Sequence, residues 1–128
     1  MKRPVKAKRG AATVLPGRQT RGRIWIEAGG RPVLTDAAAD LIEQIGVCGS
    51  LSEAARRLGF SYRRAWMLLD RTNRAWPRKL VETSTGGRRG GGAMVTEQGA
   101  FVLRTYRDLQ LQVEHLLDTV GDPFAAGI

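Results

Sequence analysis

Arginine dominates the residues with chemistry to offer. Between Gly59 and Trp76 stand Arg63, Arg64, Arg71 and Arg74, opposed only by Asp70. A guanidinium is planar, permanently charged and rich in donors, so it suits phosphate oxygens and guanine edges rather than proton transfer. Laid out at helical spacing, Arg63, Arg64, Met67, Arg71 and Arg74 fall within roughly a 100° arc, with Asp70 at its margin. Tyr62, Ala65, Trp66, Leu69 and Trp76 collect on the other side, which is expected to pack. Solvated helix faces usually alternate in charge, and this one does not. A second pair, Arg88 and Arg89, sits inside Gly86-Gly87-Arg88-Arg89-Gly90-Gly91-Gly92, where glycines permit close backbone approach and the arginines charge the tip. Neither GxxxxGK[ST] nor GxGxxG occurs, which argues against a nucleotide-phosphate cradle.

Catalytic chemistry finds no comparable support. His115 is the sole histidine, lies beside Glu114 and reads as a surface residue, while the carboxylates are scattered without acid–base or metal spacing. Cys48 is the only cysteine, so an intramolecular disulfide is excluded and a buried thiol is preferred to a redox sensor. The expectation is a protein that is not an enzyme and needs no cofactor or metal.

Several elements must position these arginines. Ser50-Leu51-Ser52-Glu53 is a capping box, in which the serine hydroxyl and the glutamate carboxylate should each satisfy an N-terminal amide. The box opens a short helix with Leu51, Ala54, Ala55 and Leu58 on one side; Gly59 stops it and Ser61 is placed to cap the next, over about 62–75. Two helices so closely joined form a helix-turn-helix. Upstream, Arg23-Ile24-Trp25-Ile26-Glu27 alternates in polarity before Gly29-Gly30, as in a short strand and turn. Thr35 can cap a helix bearing Ala38, Leu41, Ile42 and Ile45. Downstream, 79–83 and 93–96 read as strands joined by the glycine run, a basic hairpin in the position of a wing.

A last helix should begin at Thr96 and run to about Val120. Val102, Tyr106, Leu109, Val113, Leu116 and Val120 alternate four- and three-residue steps, the pattern of a coiled-coil seam for a second subunit. Phe101, Leu103, Leu111 and Leu117 are left to cover the chain's own core.

The 128 residues suffice for one domain, and the formal charge of +9 calls for a polyanionic partner. Residues 1–26 hold eight basic residues and no acid. Residues 1–22 are too poor in apolar side chains to fold and are expected to be a flexible basic arm, followed by a domain at 23–120 and a flexible tail at 121–128. Neither a membrane-spanning run nor a signal-peptide core is evident, so the expected compartment is the cytoplasm and no membrane partner is expected.

The segments Gly49-Ser-Leu-Ser-Glu-Ala-Ala, Gly59-Phe-Ser-Tyr-Arg-Arg-Ala-Trp66 and Thr85-Gly-Gly-Arg-Arg-Gly-Gly-Gly-Ala-Met-Val-Thr96-Glu-Gln-Gly99 together resemble the N-terminal domain of the molybdate-responsive ModE regulators, over about residues 21–120. The resemblance implies an α+β winged helix-turn-helix, mostly helical with a small β-hairpin, that binds palindromic double-stranded DNA as a homodimer through its long C-terminal helix. On this reading the DNA-contacting residues are Ser61, Tyr62, Arg63, Arg64, Met67, Arg71, Arg74, Arg88 and Arg89. Members of that family continue into molybdate-binding domains, whereas this sequence stops at Ile128, which leaves room for a separate effector-sensing protein. Arg89 also replaces a glycine of the family pattern. An architectural or RNA-binding role dominated by the arm, and an adaptor role for the winged domain, are the alternatives.

Overall fold

The computed structural model describes residues 17–84 and 91–127. Its elements, in chain order, are β1 (Ile26–Ala28), β2 (Arg31–Leu34), α1 (Asp36–Cys48), α2 (Leu51–Leu58), α3 (Tyr62–Arg74), β3 (Val81–Thr83), β4 (Ala93–Val95) and α4 (Glu97–Val120). The expected α+β class and winged helix-turn-helix order hold, with one addition: the described residues form two antiparallel hairpins, β1–β2 and β3–β4. The first was foreseen only as a strand and turn. Its second strand is Arg-Pro-Val-Leu, and the proline and arginine hid the pattern. Gly29 and Gly30 both adopt positive φ, 59° and 77°, the conformation that a two-residue hairpin turn demands.

Each helix begins on a hydroxyl. Thr35, Ser50, Ser61 and Thr96 accept from the amides of Ala38, Glu53, Arg64 and Gly99 in turn, and each satisfies one of the amides a helix start leaves unpaired. The expected capping box is only half formed. Ser50 caps, but the Glu53 carboxylate turns forward to Arg56 and Arg57, because two guanidiniums attract it more strongly than one neutral amide.

Leu41, Ile42 and Ile45 of α1, Ala54 and Ala55 of α2, Ala65 and Leu69 of α3, Leu80 and Val81 beside the wing, and Val102 and Tyr106 of α4 make one core. Helix α4 sits very close to the strand entering the wing. A Cβ at Gly99 would fall 2.0 Å from the Leu80 carbonyl oxygen, so no other side chain fits that contact. The seam of α4 is therefore split. Val102 and Tyr106 are consumed by the chain's own core, whereas Leu109, Leu116 and Val120 stay 38–60% exposed. Phe101 and Leu111, expected to cover the core, are also exposed, because only the side bearing Gly99, Val102 and Tyr106 faces it.

Residues 17–22, counted in sequence with the arm, lie along the far end of α4. The Thr20 amide and hydroxyl both donate to the Gly121 carbonyl at 2.8 Å, and Arg18 pairs with Asp122 at 3.0 Å. Residues 1–16 of that arm, most of the glycine run (85–90) and residue 128 lie outside the described residues. No helix among those described is long and apolar enough to cross a membrane.

Tyr106 ties three segments together: its hydroxyl donates to the Ile24 carbonyl at 2.8 Å or to Asp36 at 3.0 Å, joining the N-terminal segment, α1 and α4. Burial, with the hydrogen bond to the Asp36 carboxylate, pushes its pKa from 10.0 up to about 12. The folded chain thus holds this proton more tightly than the unfolded one. Its contribution to stability is full below pH 10 and is lost as pH rises through 12. Tyr106→Phe should lose about 1–2 kcal/mol at neutral pH in urea titration and show a shallower decline of stability in that alkaline window.

Candidate nucleic-acid interface

Helix α3 has one side committed to the core. Ala65 is fully buried, and Leu69 and Thr72 are 5% exposed. Gly59 ends α2 in the left-handed conformation, the Phe60 amide returns to the Ala55 carbonyl at 2.9 Å, and Ser61 starts α3 with its oxygen 3.1 Å from the Arg64 amide. The turn therefore fixes where the first arginines emerge.

Arg63, Arg64, Met67, Arg71 and Arg74 are all exposed on the opposite side. Arg63, Arg64, Met67 and Arg71, with Ser61, border one shallow depression against Ala37 at the start of α1. The Arg64 guanidinium lies 4.0 Å from the centre of the Phe60 ring, a cation–π contact that holds it at the helix start. Arg63, Arg64 and Arg71 form no ion pair among the described residues. Arg74 pairs with Asp70 at 3.1 Å, but that contact is exposed and within one helix, worth only about 0.5 kcal/mol. Arg88 and Arg89 lie outside the described residues.

Tyr62 and Trp66, expected on the packing side, are instead 58% and 51% exposed. Residues 65, 69 and 72 make the buried side of α3, and Trp66 turns to the flank that faces β3. Helix α2 contributes less free charge than its sequence offers. Arg56 and Arg57 hydrogen-bond to Glu53 and hold its carboxyl down to about 2.

Asn73, which sequence reasoning missed, and Trp76, expected on the packing side, set α3 against its flanks. Asn73 donates from Nδ2 to the Val81 carbonyl at 3.0 Å and accepts at Oδ1 from the Leu80 and Val81 amides at 2.8 and 3.2 Å. It thereby ties α3 to β3. Trp76 donates from Nε1 to the Val33 carbonyl at 3.0 Å and ties the end of α3 to β2. A polar residue near the end of a basic helix carries no pattern that announces such a bridge; only the fold brings β3 alongside. Among the described residues no group of three or more His, Cys, Asp or Glu could hold a metal ion.

Comparison with known proteins gives a consistent kinship. The molybdenum transport protein ModE of Azotobacter vinelandii is 35% identical over 89 residues, which are 70% of this chain and 33% of that protein. The DNA-binding transcriptional dual regulator ModE of Escherichia coli K12 is 38% identical over 83 residues, 64% of this chain and 31% of that one. The chain spans about a third of the length of these relatives. No protein-family model matches it. The crystal structure of Streptococcus pneumoniae FabT in complex with DNA superposes with a TM-score of 0.50 at 18% identity, covering 73% of this chain and 66% of that one, a likeness of fold.

The Asn73 bridge can be checked directly. Asn73→Ala should cost about 2–3 kcal/mol in urea titration, because it leaves the Leu80 and Val81 amides without partners. Hydrogen exchange should quicken at those two amides before the rest of the core.

Proposed function

We propose that this relative of the ModE regulators is a sequence-specific, double-stranded-DNA-binding transcriptional regulator that places α3 in the major groove. The observation that carries the reading is the exposed row of arginines on α3, three of them free of ion pairs among the described residues, on the side away from the core. A helix about 10–12 Å across fits a groove about 12 Å wide, and arginine is the residue that reads guanine best. The similarity to a DNA-binding ModE supports the same class of partner.

The roles along α3 differ. Arg63 and Arg64, at the helix start, reach base edges, with Ser61, Tyr62 and Met67 beside them. Arg71 and Arg74, about two and three turns along, meet phosphate. The segment 84–92, with Arg88 and Arg89, is assigned on its charge and glycine content to the flanking backbone or minor groove. Residues 1–16 add affinity for any duplex by counterion release.

The exposed half of the α4 seam supports a homodimer. Leu109, Leu116 and Val120 continue the line of Val102 and Tyr106 beyond the core, and a second copy of the helix would cover them. A dimer implies a palindromic site whose half-sites are one helical turn, about 34–36 Å, or a multiple apart.

Two measurements test these assignments. Selection from random duplexes should yield an inverted repeat, on which Arg64→Ala loses about 1–3 kcal/mol of preference over random DNA while Arg71→Ala weakens both alike and lowers the salt slope by about 0.9 per contact. Equal losses on both duplexes for both variants would refute base reading by Arg64. Sedimentation at micromolar concentration should give a dimer that Leu116→Asp converts to a folded monomer; a wild-type monomer removes the palindrome.

A further inference from the structure

Helix α3 is flanked by two hairpins, not one. On one side, Trp66 and Asn73 face Lys79, Val81 and Thr83 of the wing. On the other, Leu68, Arg71 and Ala75 face Arg31 to Leu34 of β2 across a groove of about 730 Å³. At 100° per residue these two sets lie on opposite flanks of the helix. Trp76 fixes the second hairpin in place through Val33, and the Gly29–Gly30 turn projects into solvent with Arg31 immediately after it.

The charge on this side is uniform. Arg31, Arg71 and Arg74 line the groove, no carboxylate does, and neither Arg31 nor Arg71 has an ion pair among the described residues. Glu27, the acid of the hairpin, is engaged by the Trp25 indole at 2.6 Å. A helix seated in a major groove has a phosphate backbone along each flank, since the groove is scarcely wider than the helix. Glycine at both turn positions lets the hairpin tip approach such a backbone without side chains in the way.

We propose that the β1–β2 hairpin is a second wing: Arg31, with Arg71 and Arg74 facing it across the groove, grips the phosphate backbone on the side of α3 opposite β3–β4. The proposal rests on the reading that α3 occupies the major groove. On this view the domain straddles the groove, with one basic hairpin for each wall.

The test uses the full chain, the selected duplex and a random duplex, with affinity followed by fluorescence anisotropy across salt. Arg31→Ala should weaken both duplexes by the same factor and lower the salt slope by about 0.9 per subunit, while Arg31→Lys retains most of the slope. Arg104→Ala, an equal loss of charge at an exposed position on α4, should leave the slope unchanged. Thermal denaturation checks that each variant is folded. An unaltered slope in Arg31→Ala alongside a reduced one in Arg71→Ala overturns the second wing and leaves α3 in its groove. Equal effects of Arg31→Ala and Arg104→Ala overturn it too, as does a change in the ratio between the duplexes, which would signal base contact. Failure of the wild-type chain to bind duplex at all would instead remove the underlying assignment.

Discussion

A helix can hide only one side, and in α3 that side is made of small or slender residues. Ala65 lets α3 settle close to α1 and α2, and Leu69 and Thr72 complete the contact. What remains must face water, and the sequence fills it with guanidiniums that would be very costly to bury unpaired. Core packing and charge thus demand the same rotation of the helix. The turn at Gly59 and the cap at Ser61 set its starting point, and Asn73 and Trp76 set its end against the two hairpins.

Much of this was readable in advance, because local chemistry determines it. The capping residues Thr35, Ser50, Ser61 and Thr96 are short hydroxyl side chains placed just before helical runs, and each caps the helix foreseen for it. The arginine arc of α3 followed from spacing alone. What failed were inferences about which neighbour an apolar residue finds. On a helical wheel Tyr62 and Trp66 sit about 20° and 60° from the buried Leu69, yet they are exposed, since a wheel does not say how wide the buried stripe is. The heptad pattern of α4 was real, but it does not reveal where the chain's own core ends. Val102 and Tyr106 fall within that core and Leu116 beyond it.

Long-range polar ties were the least visible. Glu53 satisfies the sequence rule for a capping box, yet it serves Arg56 and Arg57, because charge pairing within one turn outcompetes a neutral amide. Arg107 reaches Asp40 and Glu43 of α1, and Tyr106 reaches Asp36, so α4 is pinned to α1 by a polar strip beside the apolar one. No periodicity marks these pairs. They exist because two helices far apart in sequence lie side by side.

The clasp between residues 18–20 and 121–122 has a topological consequence. The polypeptide enters and leaves the domain at one corner, so a short linker there could close the backbone into a ring without disturbing any helix or strand. That corner lies about 33 Å along α4 from the contact of Gly99 with Leu80. A fluorophore, affinity handle or fused protein attached beside Arg18 or Asp122 would therefore share one anchorage, a rod's length from the β3–β4 hairpin.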